Sequence, residues 1–83
     1  MSREELDQIV CGTVAEILGL PASDITPEVK LDEHDIDSLE WAEIAVTVED
    51  KVGKKIDLGV EDFRELTTIG DAISVIEREM ANA

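Results

Sequence analysis

The side chains of this sequence that could take part in chemistry are concentrated in residues 32–41, DEHDIDSLEW. Ser38 could act as a nucleophile, which requires a base within hydrogen-bond reach and a further group that orients the base. His34, the single histidine, stands nearby among carboxylates, so a Ser-His-Asp arrangement can be written. Nothing in so short a chain predicts an oxyanion pocket or a site that excludes water. We therefore interpret His34 as an exposed loop residue.

The acidic side chains of the same segment raise the question of a cation site. An EF-hand loop needs oxygen ligands at alternate positions, a glycine at the sixth and a glutamate at the twelfth. A loop that starts at Asp35 has Leu39 at the fifth position and Glu40 at the sixth, and a loop that starts at Asp32 has His34 and Ile36 at ligand positions. The sequence therefore predicts no EF-hand and no metal site, while weak cation binding by the carboxylates stays open.

A structural role is also available to Ser38. Asp37 and Ser38 stand where the acidic loop turns into a helical pattern, and either residue can be the N-cap of that helix. The free amides and partial positive charge of a helix N-terminus also stabilise a phosphate there. The residues alone leave two interpretations of Ser38 open: a helix cap, or a functional serine that could carry a phosphoryl group.

The composition describes a small, strongly acidic domain. The chain has 83 residues, which we predict to form one domain over 1–83, and 21 acidic against 7 basic side chains give a net charge of −14. Such a surface repels nucleic acid and anionic membranes and attracts basic protein surfaces. Cys11 is the single cysteine, which excludes an internal disulfide.

The sequence also lacks the signals of export or membrane insertion. Its apolar runs are far shorter than a membrane-spanning helix requires. The first residues, MSREEL, are charged and contain no signal-peptide core. We expect a soluble, cytoplasmic protein with no membrane insertion.

Hydrophobic periodicity predicts an all-α fold. Main helices are expected over residues 2–18, 39–52 and 67–80, and a short helix over 60–66. Residues 19–37 contain two prolines and many short polar side chains, so we expect a long loop there, of a length that tends to be functional. The predicted architecture is a small bundle of three main helices plus one short helix, with a long loop between helices 1 and 2.

Local signals support these helix boundaries. Ser2 with Glu5, and Thr68 with Asp71, have the spacing of N-terminal capping boxes. Gly12 lies inside the first helix, where glycine costs up to about 1 kcal/mol relative to alanine, and we interpret it as a site of close helix packing. Three apolar residues are expected to fasten the long loop to the core: Ile25, Val29 and Leu31.

The second predicted helix carries two apolar stripes. One of them is the natural core face and contains Trp41, Ile44, Ala45, Val48 and Val52. The other contains Leu39, Ala42 and Val46 and is flanked by acidic residues. Because a core-facing helix needs one apolar face, we expect the second stripe to be available to a partner.

These features together resemble the acyl carrier protein family. The tripeptide Asp37-Ser38-Leu39, following a long loop and opening an acidic helix, resembles the serine attachment motif of that family. The order of elements is also similar, and residues 67–73, TTIGDAI, resemble the start of the family's last helix. The tripeptide alone is a weak signal, but its position, helix order and charge make it specific, and the resemblance covers almost the whole chain.

The resemblance implies that the protein is a carrier and not an enzyme. Ser38 would bear 4′-phosphopantetheine, which a separate holo-carrier synthase transfers from coenzyme A with magnesium. The thiol of this group would hold acyl intermediates as thioesters between enzymes of fatty-acid, polyketide or related biosynthesis. Asp37 matches the acid that precedes the serine, and Leu39 matches the apolar residue that partners contact.

The family also implies how its partners would dock. The acidic and apolar residues of the second helix would meet basic patches on acyl-transfer and condensing enzymes, with the carrier acting as a monomer. The residues that match this docking face are Glu40, Glu43, Val46 and Glu49.

The sequence departs from the family pattern at two positions near Ser38. Asp35 stands where the family usually has a glycine, and Trp41 is bulky where smaller residues are common, although core packing is the preferred interpretation of Trp41. The alternative function is an acidic helical adaptor or weak cation-binding module, in which Ser38 is only a helix cap.

Overall fold

The computed structural model describes residues 2–55 and 64–81. Within these ranges the main elements are three helices, α1 (Arg3–Leu18), α2 (Ser38–Val52) and α3 (Ile69–Ala81). The prediction of an all-α bundle with three main helices is therefore confirmed. The short helix predicted over 60–66 falls mostly outside the described residues.

Both ends of α1 and the end of α2 carry the capping geometry that their sequences predict. The Ser2 Oγ accepts a hydrogen bond from the Glu5 amide at 3.2 Å and so satisfies one free donor of the first turn of α1. Gly19 is the C-cap of α1 and Gly53 is the C-cap of α2, and both have a φ of 72°. Glycine adopts this left-handed conformation without steric cost, so both helices stop where the sequence provides one.

One face of each helix is buried in a single apolar core. The predicted core role of Trp41 is confirmed, since only 3% of its surface is exposed. Thr13 is the one buried polar residue among the described residues, and its hydroxyl donates to the Ile9 carbonyl at 2.7 Å. The largest fully buried apolar side chains are Val10, Val14, Ile44, Val48, Ile69, Ile73 and Ile76.

Gly12 does not have the packing role that we expected from the sequence. A Cβ added at this position would meet no atom within 4 Å, so no neighbouring element approaches the helix closely here. The interpretation of Gly12 as a site of close helix packing is therefore wrong. The fold gains nothing from the small size of this residue, although glycine inside a helix costs up to about 1 kcal/mol.

The connection between α1 and α2 is more regular than the sequence predicted. It contains two 3₁₀ turns, Ala22–Asp24 and Leu31–His34, in a segment where we expected no regular structure. The apolar loop residues do pack on the core as predicted, with Ile25 and Leu31 buried and Val29 half-buried.

Three backbone hydrogen bonds fasten this connection to the start of α3. The Leu31 amide donates to the Thr67 carbonyl at 3.0 Å. In the opposite direction, the Ile69 amide donates to Val29 at 2.9 Å and the Gly70 amide to Pro27 at 2.8 Å. We call these three bonds the loop–α3 clasp. Two of the three satisfy amides at the start of α3 that the helix itself leaves without a partner, and the third satisfies the Leu31 amide.

The predicted capping box of α3 is confirmed. The Thr68 Oγ1 accepts from the Asp71 amide at 3.2 Å, and the Asp71 Oδ2 accepts from the Thr68 amide at 3.0 Å and the Thr67 amide at 3.1 Å. These hydrogen bonds from Thr68 and Thr67 favour the ionised carboxylate and lower the pKa of Asp71.

No helix within the described ranges has the length and apolar character that a bilayer span requires.

Candidate functional site

Ser38 is the first residue of α2, and its hydroxyl is not used by the fold. Asp37 is the N-cap, because its backbone is extended and its Oδ1 accepts from the Glu40 amide at 2.9 Å. The Ser38 side chain is exposed and makes no hydrogen bond within the described part of the chain. The interpretation of Ser38 as the helix cap is therefore wrong, since its neighbour fills that position.

The chain approaches Ser38 through a constrained turn. The Ile36 amide donates to the Leu31 carbonyl at 3.3 Å, and the Ile36 side chain is only 5% exposed. This burial anchors the backbone two residues before Ser38. Sequence reasoning missed this anchor, although an isoleucine between two aspartates is a signal that could have found it.

Asp35 occupies the position where the resembling family usually has glycine, and its backbone explains why. It has a φ of 52° and a ψ of 38°, and it is the one non-glycine residue with a positive φ among those described. This left-handed conformation suits glycine, and aspartate is one of the few other residues that tolerate it. The turn before Ser38 thus has the geometry of a glycine site occupied by an acid.

The outer face of α2 exposes apolar side chains, as the second stripe predicted. Leu39 is 79% exposed and Val46 is 59% exposed, and Ala42 is exposed beside them. These are the only large hydrophobic side chains so exposed among the described residues. Since the opposite face of α2 is buried in the core, the exposed stripe is rigidly presented.

The predicted docking residues do not all lie on this outer face. Leu39, Glu43 and Val46 follow the i, i+4, i+7 spacing that puts side chains on one side of a helix. The 3.6-residue period puts Glu40 and Glu49 on opposite flanks of that stripe, and both are half-buried. One carboxylate oxygen of Glu40, Oε2, is buried and makes no hydrogen bond within the described residues.

The other chemistry considered for this segment is not assembled. His34 is half-buried in the second 3₁₀ turn, and no hydrogen bond links it to Ser38 within the described ranges. No group of three or more histidine, cysteine, aspartate or glutamate side chains that could hold a metal ion occurs in residues 2–55 and 64–81.

Comparison with known proteins identifies the family. The family described as "Phosphopantetheine attachment site" matches residues 8–76. The chain is 40% identical over 79 residues to the meromycolate extension acyl carrier protein of Mycobacterium tuberculosis, covering 94% of this chain and 67% of that protein. It is 33% identical over 84 residues to the acyl carrier protein of Acidothermus cellulolyticus, covering 100% of this chain and 98% of that protein.

These matches cover the α1–α3 fold and the turn that leads to Ser38. The chain therefore belongs to the phosphopantetheine-attachment family of carrier proteins, and its resemblance to acyl carrier proteins is confirmed. Proteins of this family are carriers of a covalently attached phosphopantetheine group and not catalysts, and they interact with biosynthetic enzymes.

Proposed function

We propose that this protein is a cytoplasmic acyl carrier protein with 4′-phosphopantetheine attached to Ser38. The observation that carries the proposal is the free hydroxyl at the start of α2. Asp37 caps the helix, so Ser38 is exposed and unpaired within the described residues at the position where the family motif has its serine. Its modification removes no hydrogen bond that the described structure makes.

The helix terminus supports a phosphodiester at this position. The amides of Ser38 and Leu39 make no hydrogen bond within the described residues, because the first amides of a helix have no intrahelical acceptor. Asp37 accepts only from the next two amides, through its Oδ1 from Glu40 and through its carbonyl from Trp41. Free amides and the helix dipole stabilise a negative group bound next to them. This contribution offsets part of the repulsion from the neighbouring aspartates.

The transfer reaction places clear demands on the partner enzyme. The Ser38 oxygen forms a bond to the phosphorus of the phosphopantetheine moiety, and the bond between that phosphorus and the adenosine bisphosphate part of coenzyme A breaks. The described residues offer Ser38 no hydrogen-bonded base, so the holo-carrier synthase supplies the proton acceptor and the magnesium. Once attached, the group supplies a thiol that holds acyl intermediates as thioesters.

The outer face of α2 is the surface that we propose for docking partner enzymes. Leu39 and Val46 give exposed apolar contacts close to the attachment point, and Glu43 lies between them. Basic patches on the synthase and on acyl-transfer and condensing enzymes would meet this face and its flanking acids, Glu40 and Glu49. Charge steering gives fast association, and a small contact area lets the carrier leave again.

Mass spectrometry of the intact protein tests the attachment point directly. After incubation with a broad-specificity holo-carrier synthase, magnesium and coenzyme A, we expect the unaltered protein to gain one phosphopantetheine. Ser38→Ala should gain none, while Ser23→Ala, which changes another exposed serine, should be modified like the unaltered protein. Modification of Ser38→Ala, or its absence from the unaltered protein, would contradict the proposal.

The relatives favour one of the three pathways considered. Of the two relatives reported above, the one with the higher identity is named for meromycolate extension, and the other is named simply acyl carrier protein. We therefore propose that the acyl groups on Ser38 belong to fatty-acid-type chain extension rather than polyketide synthesis. The acyl thioesters found by mass spectrometry on protein isolated from its own cells test this choice, and polyketide intermediates would contradict it.

A further inference from the structure

A groove with mainly apolar walls runs between α1 and the first part of the connection. It encloses about 370 Å³ and is open to solvent. Its walls include Cys11 and Gly12 from α1, and Ala22, Ile25 and Pro27 from the connection. None of these residues belongs to α2 or to the docking face proposed there.

Gly12 keeps this groove open at a cost that the fold does not require. A side chain at position 12 would project into free space, since a Cβ there meets nothing within 4 Å. Alanine would stabilise the helix better than glycine and would clash with no neighbour. The missing side chain at position 12 therefore leaves the groove open and does not affect the packing of α1 against its neighbours.

Two acidic side chains lie near the groove. Asp7 lines it and forms an ion pair with Arg3 at 2.9 Å, and Glu28 directly follows Pro27, which also lines it. Burial, with the charges of Asp7 and then Glu28 adding to it, raises the pKa of the Cys11 thiol to about 11. Residues 1–30 contain six acidic side chains against two basic ones.

We propose that this groove is a second docking site, which receives an apolar side chain that a partner protein presents between lysine or arginine residues. The apolar walls select an apolar side chain, and the acidic rim selects basic neighbours around it. The same rim disfavours acidic partners and anionic lipid surfaces. The groove and the outer face of α2 would then both bind apolar and basic residues of partners, at two different places on the protein.

Nuclear magnetic resonance with a defined probe tests the groove. The probe is a short amphipathic helical peptide made of leucine and lysine, added to ¹⁵N-labelled protein without phosphopantetheine. We expect saturable amide shifts at Gln8, Cys11, Gly12 and Ala22. Gly12→Leu fills the groove from its own wall and should weaken binding there about tenfold, which corresponds to the loss of one buried apolar side chain.

Matched controls separate the groove from general charge attraction. Val46→Ser alters the exposed face of α2 and should leave the groove shifts unchanged, and a serine–lysine peptide should not produce them. Glu28→Lys reverses a rim charge without touching the core and should weaken binding even if Gly12→Leu folds poorly. Shifts confined to α2, equal binding to Gly12→Leu and Glu28→Lys, or equal shifts with the serine–lysine peptide would overturn the proposal. Because unmodified protein is used, the result does not depend on whether Ser38 is the attachment point.

Discussion

Asp37 and Ser38 are adjacent residues of similar capping ability that have different tasks in the structure. Asp37 holds the first turn of α2 through its hydrogen bond from the Glu40 amide, and the Ser38 hydroxyl stays free. A serine that had to cap the helix would lose that hydrogen bond on modification. This division of tasks would let Ser38, the proposed attachment residue, change chemically while the helix start stays intact.

The stability of two alanine variants tests this division. We expect Asp37→Ala to lower the free energy of unfolding by about 1 kcal/mol, because a side-chain cap is lost. Ser38→Ala removes no hydrogen bond made by the described residues and should change it by less than about 0.5 kcal/mol. Urea unfolding of unmodified protein measures both, and a larger loss for Ser38→Ala would contradict the assignment of the cap.

Asp35 provides a second test at the scale of one residue. Its positive φ is a conformation that costs most residues about 1–2 kcal/mol and glycine nothing, although aspartate is among the tolerant residues. We expect Asp35→Gly to raise the free energy of unfolding by up to about 1 kcal/mol. Asp32→Gly is the control, since Asp32 lies in the 3₁₀ turn with an ordinary φ and should be destabilised by glycine. Equal effects at the two positions would contradict this explanation.

The sequence selected candidate site residues but could not show their geometry. Position, charge and the Asp-Ser-Leu tripeptide were sufficient to select Ser38 as the candidate. The choice of cap could not be made, because aspartate and serine have nearly equal preference for the N-cap and only the backbone decides which one occupies it. The positive φ of Asp35 could not be predicted either, because an aspartate does not indicate this conformation as a glycine at the same position would.

At the scale of elements, periodicity was informative and the connection was not. The two stripes of α2 were predicted correctly, because a helix repeats its faces every few residues and one face had to be buried. The 3₁₀ turns of the connection were missed. One reason is that this segment is held by the loop–α3 clasp, whose partners lie far away in the sequence and leave no local pattern.

Gly70 in α3 and Gly12 in α1 provide a matched test of whether the loop–α3 clasp holds the connection in place. A Cβ at Gly70 would lie 3.0 Å from the Pro27 carbonyl oxygen, which the clasp holds in place, so we expect Gly70→Ala to lower the free energy of unfolding by about 1 kcal/mol or more. Gly12→Ala meets no atom and should raise it by up to about 1 kcal/mol. Thermal and urea unfolding give both values. The same sign for both variants would show that helix propensity, and not the contact with Pro27, decides.

At the scale of the whole molecule, the net charge of −14 governs encounters with partners. This feature was readable from composition, because it needs no knowledge of the fold. Composition could not show that the large exposed apolar side chains of the described residues, Leu39 and Val46, both lie on one face of α2. We propose that charge brings partners near and that the outer face of α2 gives them a specific place to bind.

Association kinetics with a holo-carrier synthase test these two contributions. We expect the association rate to fall about tenfold or more between low salt and about 0.15 M salt, as charge steering is screened. At low salt, Glu43→Gln should associate more slowly than the unaltered protein, because one acidic charge is lost. Val46→Ser should mainly speed dissociation, because it removes an exposed apolar contact. Stopped-flow measurements distinguish the two rates. An association rate independent of salt, or a slower association caused by Val46→Ser alone, would contradict this account.

The loop–α3 clasp has a consequence for the moment at which the protein becomes competent during its synthesis. The Leu31 amide donates to the Thr67 carbonyl. The Ile36 amide, next to Asp37 in the chain, in turn donates to the Leu31 carbonyl. Ser38 is thus translated well before the residues that order the backbone leading to it. Because domains gain structure as the chain leaves the ribosome, a nascent chain that has not yet released residues 67–70 would offer a synthase an unordered serine. We expect the protein to become a substrate for modification only after the start of α3 has emerged.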